Sequence, residues 1–244
     1  MLNSILYPII DSVMFGQHAA AIPIQRLVQK LIGGPKPALF SLDGHPFHCE
    51  TSHKYYLERS NFEPHVWEWL RTVVTPEDVV YDVGAHFGFW AVRLSRFTKQ
   101  VVCFEPSPCN FKMLTRNTGG LPNVTCYEVA IGATNGKVSI SEAGSMTSIG
   151  EGIPVQMQRL DSFPSPTLLL VDVEGYAGHV LAGANLDGVR VVLCELHNPR
   201  EEQSVSNALS DYEVTIKGNS YPTHLFAHRH QKWPQSSVPS PRFV

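Results

Sequence analysis

The run Val79-Val80-Tyr81-Asp82-Val83-Gly84-Ala85-His86-Phe87-Gly88 constrains the fold more than any other stretch. Apolar and aromatic residues lead into an acid. Two glycines follow, four residues apart, and Phe89-Trp90-Ala91-Val92-Arg93-Leu94 resumes the apolar pattern. That order predicts a buried strand, a tight turn and a helix start. Glycines let backbone approach a ligand closely, and a helix start offers unpaired N–H groups. Asp82 sets the sign of the ligand. It would repel a pyrophosphate and suits a cation such as an ammonium or a sulfonium, both of which S-adenosylmethionine carries.

From Asp78 onward strand and helix patterns alternate. Strands are expected over 78–83, 100–105, 124–131, 167–172 and 190–196, and helices over 88–97, 108–117 and 176–183. Such alternation predicts an α/β fold, a parallel sheet with helices on both faces. Two short runs, 137–141 and 153–160, read as a hairpin inserted at the rim, and 211–218 with 223–229 as a closing antiparallel pair. Phe62 to Val74 has helical spacing, and 38–50 reads as a hairpin around Asp43-Gly44.

The expected organisation is a helical extension and hairpin over 1–60, a main domain over 61–230 and a disordered Pro/Ser-rich tail over 231–244. Residues 1–33 are amphipathic but poor in basic residues. They fit a helical cap, a dimer contact or a peripheral membrane contact. The oligomeric state is not readable. A net charge of -3 gives no electrostatic footprint for nucleic acid. Five cysteines, three of them inside apolar runs, suit a reduced cytoplasmic protein. No stretch reaches membrane-spanning length, and the start of the chain lacks a signal-peptide pattern.

Ligands of open α/β sheets bind beyond the carboxyl ends of the strands. Asp82 ends the first strand. Glu105 ends the second, 23 residues later, where an acid can accept hydrogen bonds from both hydroxyls of a ribose. The competing reading makes Glu105 a surface acid before Pro106. Val129 and Ala130 follow the third strand, either beside an adenine or as ordinary sheet residues. The fourth strand ends in Asp172-Val173-Glu174-Gly175. Its two acids suit a general base, a hydroxyl acceptor, a metal ligand or a cap for the next helix. The fifth ends in Glu195-Leu196-His197, whose alternation puts Glu195 beside His197, where it can orient the imidazole. His86 lies within the glycine turn, facing ligand or solvent. The remaining histidines show no metal-ligand spacing.

These residues together resemble the FkbM family of S-adenosylmethionine-dependent methyltransferases. The resemblance rests on Asp82-Val83-Gly84-Ala85-His86-Phe87-Gly88, on Phe104-Glu105-Pro106-Ser107-Pro108 with Asn110 and Asn117, and on Val129-Ala130-Ile131-Gly132. Leu160-Asp161 and Val171-Asp172-Val173-Glu174-Gly175 with Val180-Leu181-Ala182-Gly183-Ala184 complete it, over roughly residues 60–200. It implies a class I methyltransferase, Rossmann-like fold whose seven-stranded sheet has an antiparallel last strand. It also implies O-methylation of a sugar, glycolipid or natural product. By position, Asp82, Gly84, Ala85, His86 and Gly88 would border the methionine part, and Glu105, Pro106 and Ser107 the ribose. Asp172 would serve both cofactor and catalysis. Two positions depart from the family pattern: His86 stands where Asn is usual, and Ala177 where Glu is frequent.

The expected reaction is in-line methyl transfer to a hydroxyl, with Asp172 or His197 as base and Glu174 and Glu195 orienting it or the substrate. A sulfonium is already an activated donor, so a metal is optional, useful only for lowering a hydroxyl pKa, and no metal ligand is assigned. Three other readings stay open. Methylation of nitrogen or carbon is one; N-methyltransferases often carry an Asn/Asp-Pro-Pro-aromatic run at the fourth strand end, where this chain has Asp172-Val173-Glu174-Gly175, which argues for oxygen. A non-catalytic module would bind the cofactor without turnover. A nicotinamide-dependent oxidoreductase would want Gly-x-Gly-x-x-Gly, which His86 interrupts.

Overall fold

The computed structural model of the protein describes residues 37–50, 53, 57, 62–143 and 146–229. The expectations for 1–33 and 231–244 fall outside these residues. Two compact units are present: residues 37–41 and 46–62 belong to one, and Leu42–His45 with the chain from Glu63 onward to the other.

The expected hairpin is present as β1 (Pro37–Leu42) and β2 (His45–Glu50), which pair with each other. Its turn residues Asp43 and Gly44 both have positive φ, 50° and 86°, as a tight two-residue hairpin turn requires. Phe40 and Phe47 pack ring to ring at 5.3 Å.

The second unit carries the alternating pattern. After α1 (Pro64–Val73) come β3 (Val79–Val83), α2 (Phe89–Leu94), β4 (Gln100–Phe104), α3 (Pro108–Thr118) and β5 (Val124–Tyr127). A rim of four short strands follows: β6 (Ala130–Ile131), β7 (Gly136–Ala143), β8 (Met146–Ile149) and β9 (Ile153–Gln158). The chain then returns through β10 (Leu168–Val171), α4 (Ala177–Ala182), β11 (Val191–Leu196), α5 (Pro199–Ala208), β12 (Tyr212–Lys217) and β13 (Thr223–Arg229).

The main sheet has seven strands in the order β12-β13-β11-β10-β3-β4-β5. β5, β4, β3, β10 and β11 run parallel, and β13 is antiparallel to both neighbours. Chain order reverses at β3, which sends β4 to one side while β10 arrives on the other. That switch point opens a crevice at the carboxyl ends of the strands. Strand periodicity divides the core in two. Val80, Val101, Cys103, Leu168, Leu170 and Leu193 face α1, α2 and α3. Tyr81, Val102, Phe104, Leu169, Val171 and Val192 face α4 and α5. Helices therefore cover both faces, and β10 is apolar at every position because both its faces are buried.

The expected strand 124–131 is two strands. Val124–Tyr127 joins the main sheet, whereas Ala130–Ile131 pairs with β9 in the rim sheet. The inserted hairpin is present as the antiparallel pair β7 and β9, with β8 added beside β7. α5 was not expected from sequence. Its segment Pro199–Ala208 is strongly polar, and only Glu201 and Val205 are buried on it.

Candidate active site

The turn after β3 is closed on itself. Gly84 and Ala85 donate their N–H groups to the carbonyl of Phe104 at 2.9 and 3.1 Å, and Gly88 donates to Ala85 at 2.7 Å. His86 N–H goes to the Glu105 carboxylate at 2.9 Å. These four donors serve the protein, so the expected unpaired N–H groups are not at these positions. The glycines answer to packing as well. A Cβ on Gly84 would stand 1.8 Å from the Asp172 carbonyl oxygen, and one on Gly88 would stand 2.7 Å from Leu114. His86 has φ 50°, a left-handed conformation that Asn, Asp and His tolerate better than other side-chain residues. The position accommodates this departure from the family pattern on conformational grounds. Its ring stacks on Phe87 at 3.8 Å.

Two acids frame the turn. Asp82 is buried, and its Oδ2 finds no hydrogen-bond partner. Burial first, and then the charge of Asp172, push its carboxyl up to about 8. Glu105 is also buried and is the turn's clamp. One oxygen accepts from His86 N–H and the other from Ser107 N–H, both at 2.9 Å. Burial raises its carboxyl to about 7 against the opposing pull of those bonds. The Asn110 side chain also donates to this carboxylate, which leaves it one further acceptor position. Half-buried Pro106 leads to Ser107, whose hydroxyl caps α3 by accepting from Asn110 N–H at 3.3 Å. Val129 and Ala130 are buried. Val129 packs in the core on the α4 and α5 face, and Ala130 opens β6.

The second group of acids gathers beyond β10 and β11. Asp172 N–H bonds to Val83 carbonyl at 2.9 Å, which fixes the tip of β10 against the glycine turn. One ligand-type atom each from Asp172, Glu195 and His197 lie within 4.8 Å of one another. Asp172 is reached by solvent, yet protein crowds its recess. The lost solvation raises its carboxyl, and a hydrogen bond with Glu195 opposes the rise. Glu195 is raised further, by burial and by the neighbouring Asp172 charge. Glu174 is also raised, mainly by burial.

Neither Asp172 nor Glu174 caps the following helix. α4 begins without a side-chain cap from Tyr176, and its first N–H, on Ala177, is taken by Glu201 at 2.8 Å. Glu174 instead holds φ 43° and brings its carboxylate to 3.5 Å from His197 Nδ1. The carboxylate closest to that nitrogen is thus Glu174, while Glu195 pairs with Asp172. A left-handed Glu at a strand tip is the kind of strain that collects at functional sites.

Four further residues belong to this surrounding: Glu63 and Glu201, which the sequence did not single out, and His65 and His224, which showed no metal-ligand spacing there. Register sets His224 on β13 opposite Glu195. Its Nε2 is 3.1 Å from Glu63, and its Nδ1 is 3.1 Å from His65. Glu201 holds the backbone of His197 at 2.8 Å as well as that of Ala177. No spacing rule finds partners drawn from α1, α5 and β13. A polar residue on the inward alternation of a closing strand, as His224 is, was the one available signal.

The cradle fits a cationic nucleoside. Asp82 offers a buried, unpartnered oxygen that a positive group would satisfy, and Glu105 retains acceptor capacity beside it. Among the described residues, no helix is long and apolar enough to cross a membrane.

A family model described as the methyltransferase FkbM domain matches residues 82–229, beginning at the buried acid itself and running through β13. An FkbM methyltransferase structure from Methylobacillus flagellatus superposes with TM-score 0.51 at 17% identity, covering 63% of this chain and 44% of that one. The chain thus spans less than half the length of that relative. A ribosomal protein L11 methylase from Lactobacillus delbrueckii gives TM-score 0.46 at 14% identity, over 70% of this chain and 81% of that one. A precorrin-6y C5,15-methyltransferase from Geobacter metallireducens gives 0.44 at 15%, over 67% and 86%. A search of curated proteins found no match. With the sheet order, the antiparallel β13 and a model match over more than half its length, this chain has the class I methyltransferase fold and belongs to the FkbM methyltransferase family.

Proposed function

We propose that the protein methylates a hydroxyl of a small acceptor, a sugar, glycolipid or natural product, with S-adenosylmethionine as donor. The observation that carries this reading is the placement of acids on adjacent strand tips. Asp82 is buried with a spare oxygen, Glu105 is clamped beside it, and the Asp172–Glu195–His197 group stands across the β3–β10 switch point.

When bound, S-adenosylmethionine supplies an activated methyl group whose bond to sulfur breaks with the electron pair left on sulfur. Asp82 faces the cationic part, where its own neutral form becomes unnecessary. Glu105 accepts from the ribose with the acceptor position that His86, Ser107 and Asn110 leave free. The acceptor hydroxyl lies against Asp172 or His197, one of which takes its proton as the O–C bond forms. Glu195 donates to Asp172 and Glu174 orients His197. The rigid tips of β3 and β10 provide the positioning on which an in-line transfer depends.

The acid cluster also bears on the acceptor. Four acidic side chains, Glu63, Asp172, Glu174 and Glu195, gather there, a lining poorly matched to a polyphosphate strand, which favours an uncharged acceptor over nucleic acid. The described cysteines are all free, and Cys103 and Cys126 stand opposite each other in register on β4 and β5. Free thiols so placed suit a reducing, cytoplasmic setting.

Calorimetric titration with S-adenosylmethionine and S-adenosylhomocysteine tests the cofactor, beside NAD and an Asp82→Ala/Glu105→Ala variant. Binding of the sulfur nucleosides that the variant loses supports the reading. Binding of NAD instead would replace it with an oxidoreductase. A screen of hydroxylated acceptors with labelled donor then separates an enzyme from a module that binds and does not turn over.

A further inference from the structure

Two groups of potential metal ligands meet at Glu195. One is Asp172, Glu195 and His197; the other is Glu63, Glu195 and His224. Internal bonding separates them. Both nitrogens of His224 are engaged, one by Glu63 and one by His65, each at 3.1 Å, so that group is closed by its own hydrogen bonds. His197 differs. Its Nδ1 stands 3.5 Å from Glu174, while its Nε2 is buried and finds no hydrogen-bond partner. A carboxylate against one imidazole nitrogen and a lone pair left on the other is how metal-binding histidines are commonly held.

The surroundings point the same way. Asp172, Glu174 and Glu195 are drawn together with Glu63, and His197 stands beside Asp172 and Glu174. Asp172 keeps a face open to solvent at the carboxyl end of the sheet. A cation seated there would have protein on one side and room for exchangeable ligands on the other.

We infer that Asp172, Glu195 and His197 form a binding site for one divalent cation, with Glu174 supporting the imidazole, and that the cation receives the oxygens of the methyl acceptor. Two carboxylates and one imidazole suit a cation such as Mn2+, which accepts both ligand types and prefers about six ligands. Three protein ligands leave about three positions for water or substrate. An acceptor with two adjacent oxygens, a vicinal diol of a sugar or an α-hydroxy carbonyl, fills two of them. The bound hydroxyl then ionises more readily, as metal-bound water does, and its proton passes to water at the open face of Asp172. The role of the acceptor rests on the methyl-transfer reading above. With the cation in place, the three side chains hold the oxygen of the hydroxyl rather than its proton.

The cation itself is tested without cofactor or acceptor. Mn2+ alone is titrated into the full chain and followed by electron paramagnetic resonance, with spin-echo modulation to detect a coordinated imidazole nitrogen. The expected result is one bound Mn2+ per chain with a single nitrogen coupling. His197→Gln should abolish the coupling and weaken binding at least tenfold. Glu174→Gln should weaken it by about 10- to 100-fold with the coupling retained. No binding at millimolar Mn2+ overturns the inference, as does a coupling that survives His197→Gln or is lost in His224→Gln instead. Circular dichroism reports whether each variant folds, and Glu195→Gln gives a second route: retained affinity there also overturns the site. S-adenosylmethionine binding without Mn2+ binding would defeat the cation and leave the methyl-transfer reading standing. Mn2+ binding without the sulfur nucleoside would do the reverse.

Discussion

The Glu201 carboxylate accepts the backbone N–H of His197 at 2.8 Å, and its second oxygen accepts that of Ala177 at 2.8 Å. One buried side chain on α5 thus joins the end of β11 to the start of α4, and through them sets where His197 and the Asp172 loop lie. Ala177 itself is fully buried, and its N–H is served by an acid from another helix. Glu201→Gln replaces one acceptor with a donor facing an N–H group. Its expected cost is about 1–3 kcal/mol. Turnover should fall more than S-adenosylmethionine affinity, because the displaced element carries His197 and not Glu105. Urea denaturation and calorimetry on one sample check both, and an equal loss of affinity and turnover would contradict this division.

Asp82 makes stability depend on pH. Its carboxyl sits at about 8 in the folded chain, against an ordinary value of 3.8. Between those values the folded state binds more protons than the unfolded state, so stability falls as pH rises and levels off above about 8. Glu105, raised to about 7, adds to the fall over a narrower range. Asp82→Asn removes the larger contribution. Unfolding midpoints at pH 5 and pH 8 should show a smaller decline in the variant than in the parent. Parallel declines would show that Asp82 is solvated or paired.

Glu105 should set the pH dependence of cofactor affinity in the opposite direction. Ribose hydroxyls donate to it, so the ionised carboxylate is the binding form. Below about 7 the acid must first lose its proton. Affinity is then expected to rise between pH 6 and pH 8, by up to about tenfold per pH unit below the pKa. Calorimetry at the two pH values gives the slope, and Glu105→Gln should bind weakly with part of that slope gone, the remainder coming from Asp82, whose carboxyl sits at about 8.

Gly84→Ala tests the joint between the two halves of the site. The new Cβ would meet the Asp172 carbonyl oxygen at 1.8 Å in a backbone conformation of φ 88°. Left-handed strain alone costs about 1–3 kcal/mol, and displacement of the β10 tip comes on top of it. A marked drop in melting temperature is expected, together with loss of cofactor binding in whatever remains folded. A variant of parental stability would mean that the β3 and β10 tips separate easily.

Much of this architecture is legible in the sequence because its signals are local. The apolar run before Asp82, the glycine turn and the spacing to Glu105 all fall within one strand–helix–strand step. Alternation then places Asp172 and Glu195 at strand tips. What escapes is long-range or lacks an apolar signature. α5 is polar along most of its length, so hydrophobic periodicity has little to read, and its one buried acid looks like a surface charge. His224 reaches Glu195 only through the register of an antiparallel strand, and Glu63 and His65 arrive from before β3. The strand read as 124–131 broke at Glu128 because Ala130–Ile131 finds a better partner in β9, a pairing that no local pattern encodes.

The opposite ends of the strands are locked by Asp78. Its carboxylate is buried, with 2% exposure, and accepts from Thr75 N–H at 2.7 Å, Thr167 Oγ1 at 2.6 Å and Arg190 Nε at 3.0 Å. Arg190 Nη2 also binds Asp78 and reaches the Val73 carbonyl at 2.6 Å. The group ties the starts of β3, β10 and β11 to the end of α1, at the other end of the sheet from the acid cluster. Arg190→Met would leave a buried carboxylate without its cation, a change that costs about 3–5 kcal/mol. The loss should appear in denaturant midpoints, and adding Asp78→Asn should recover part of it by removing the stranded charge. Because the lock lies away from the crevice, the folded fraction of Arg190→Met should bind S-adenosylmethionine with parental affinity. A change in that affinity would mean that the sheet transmits the disturbance from one end of its strands to the other.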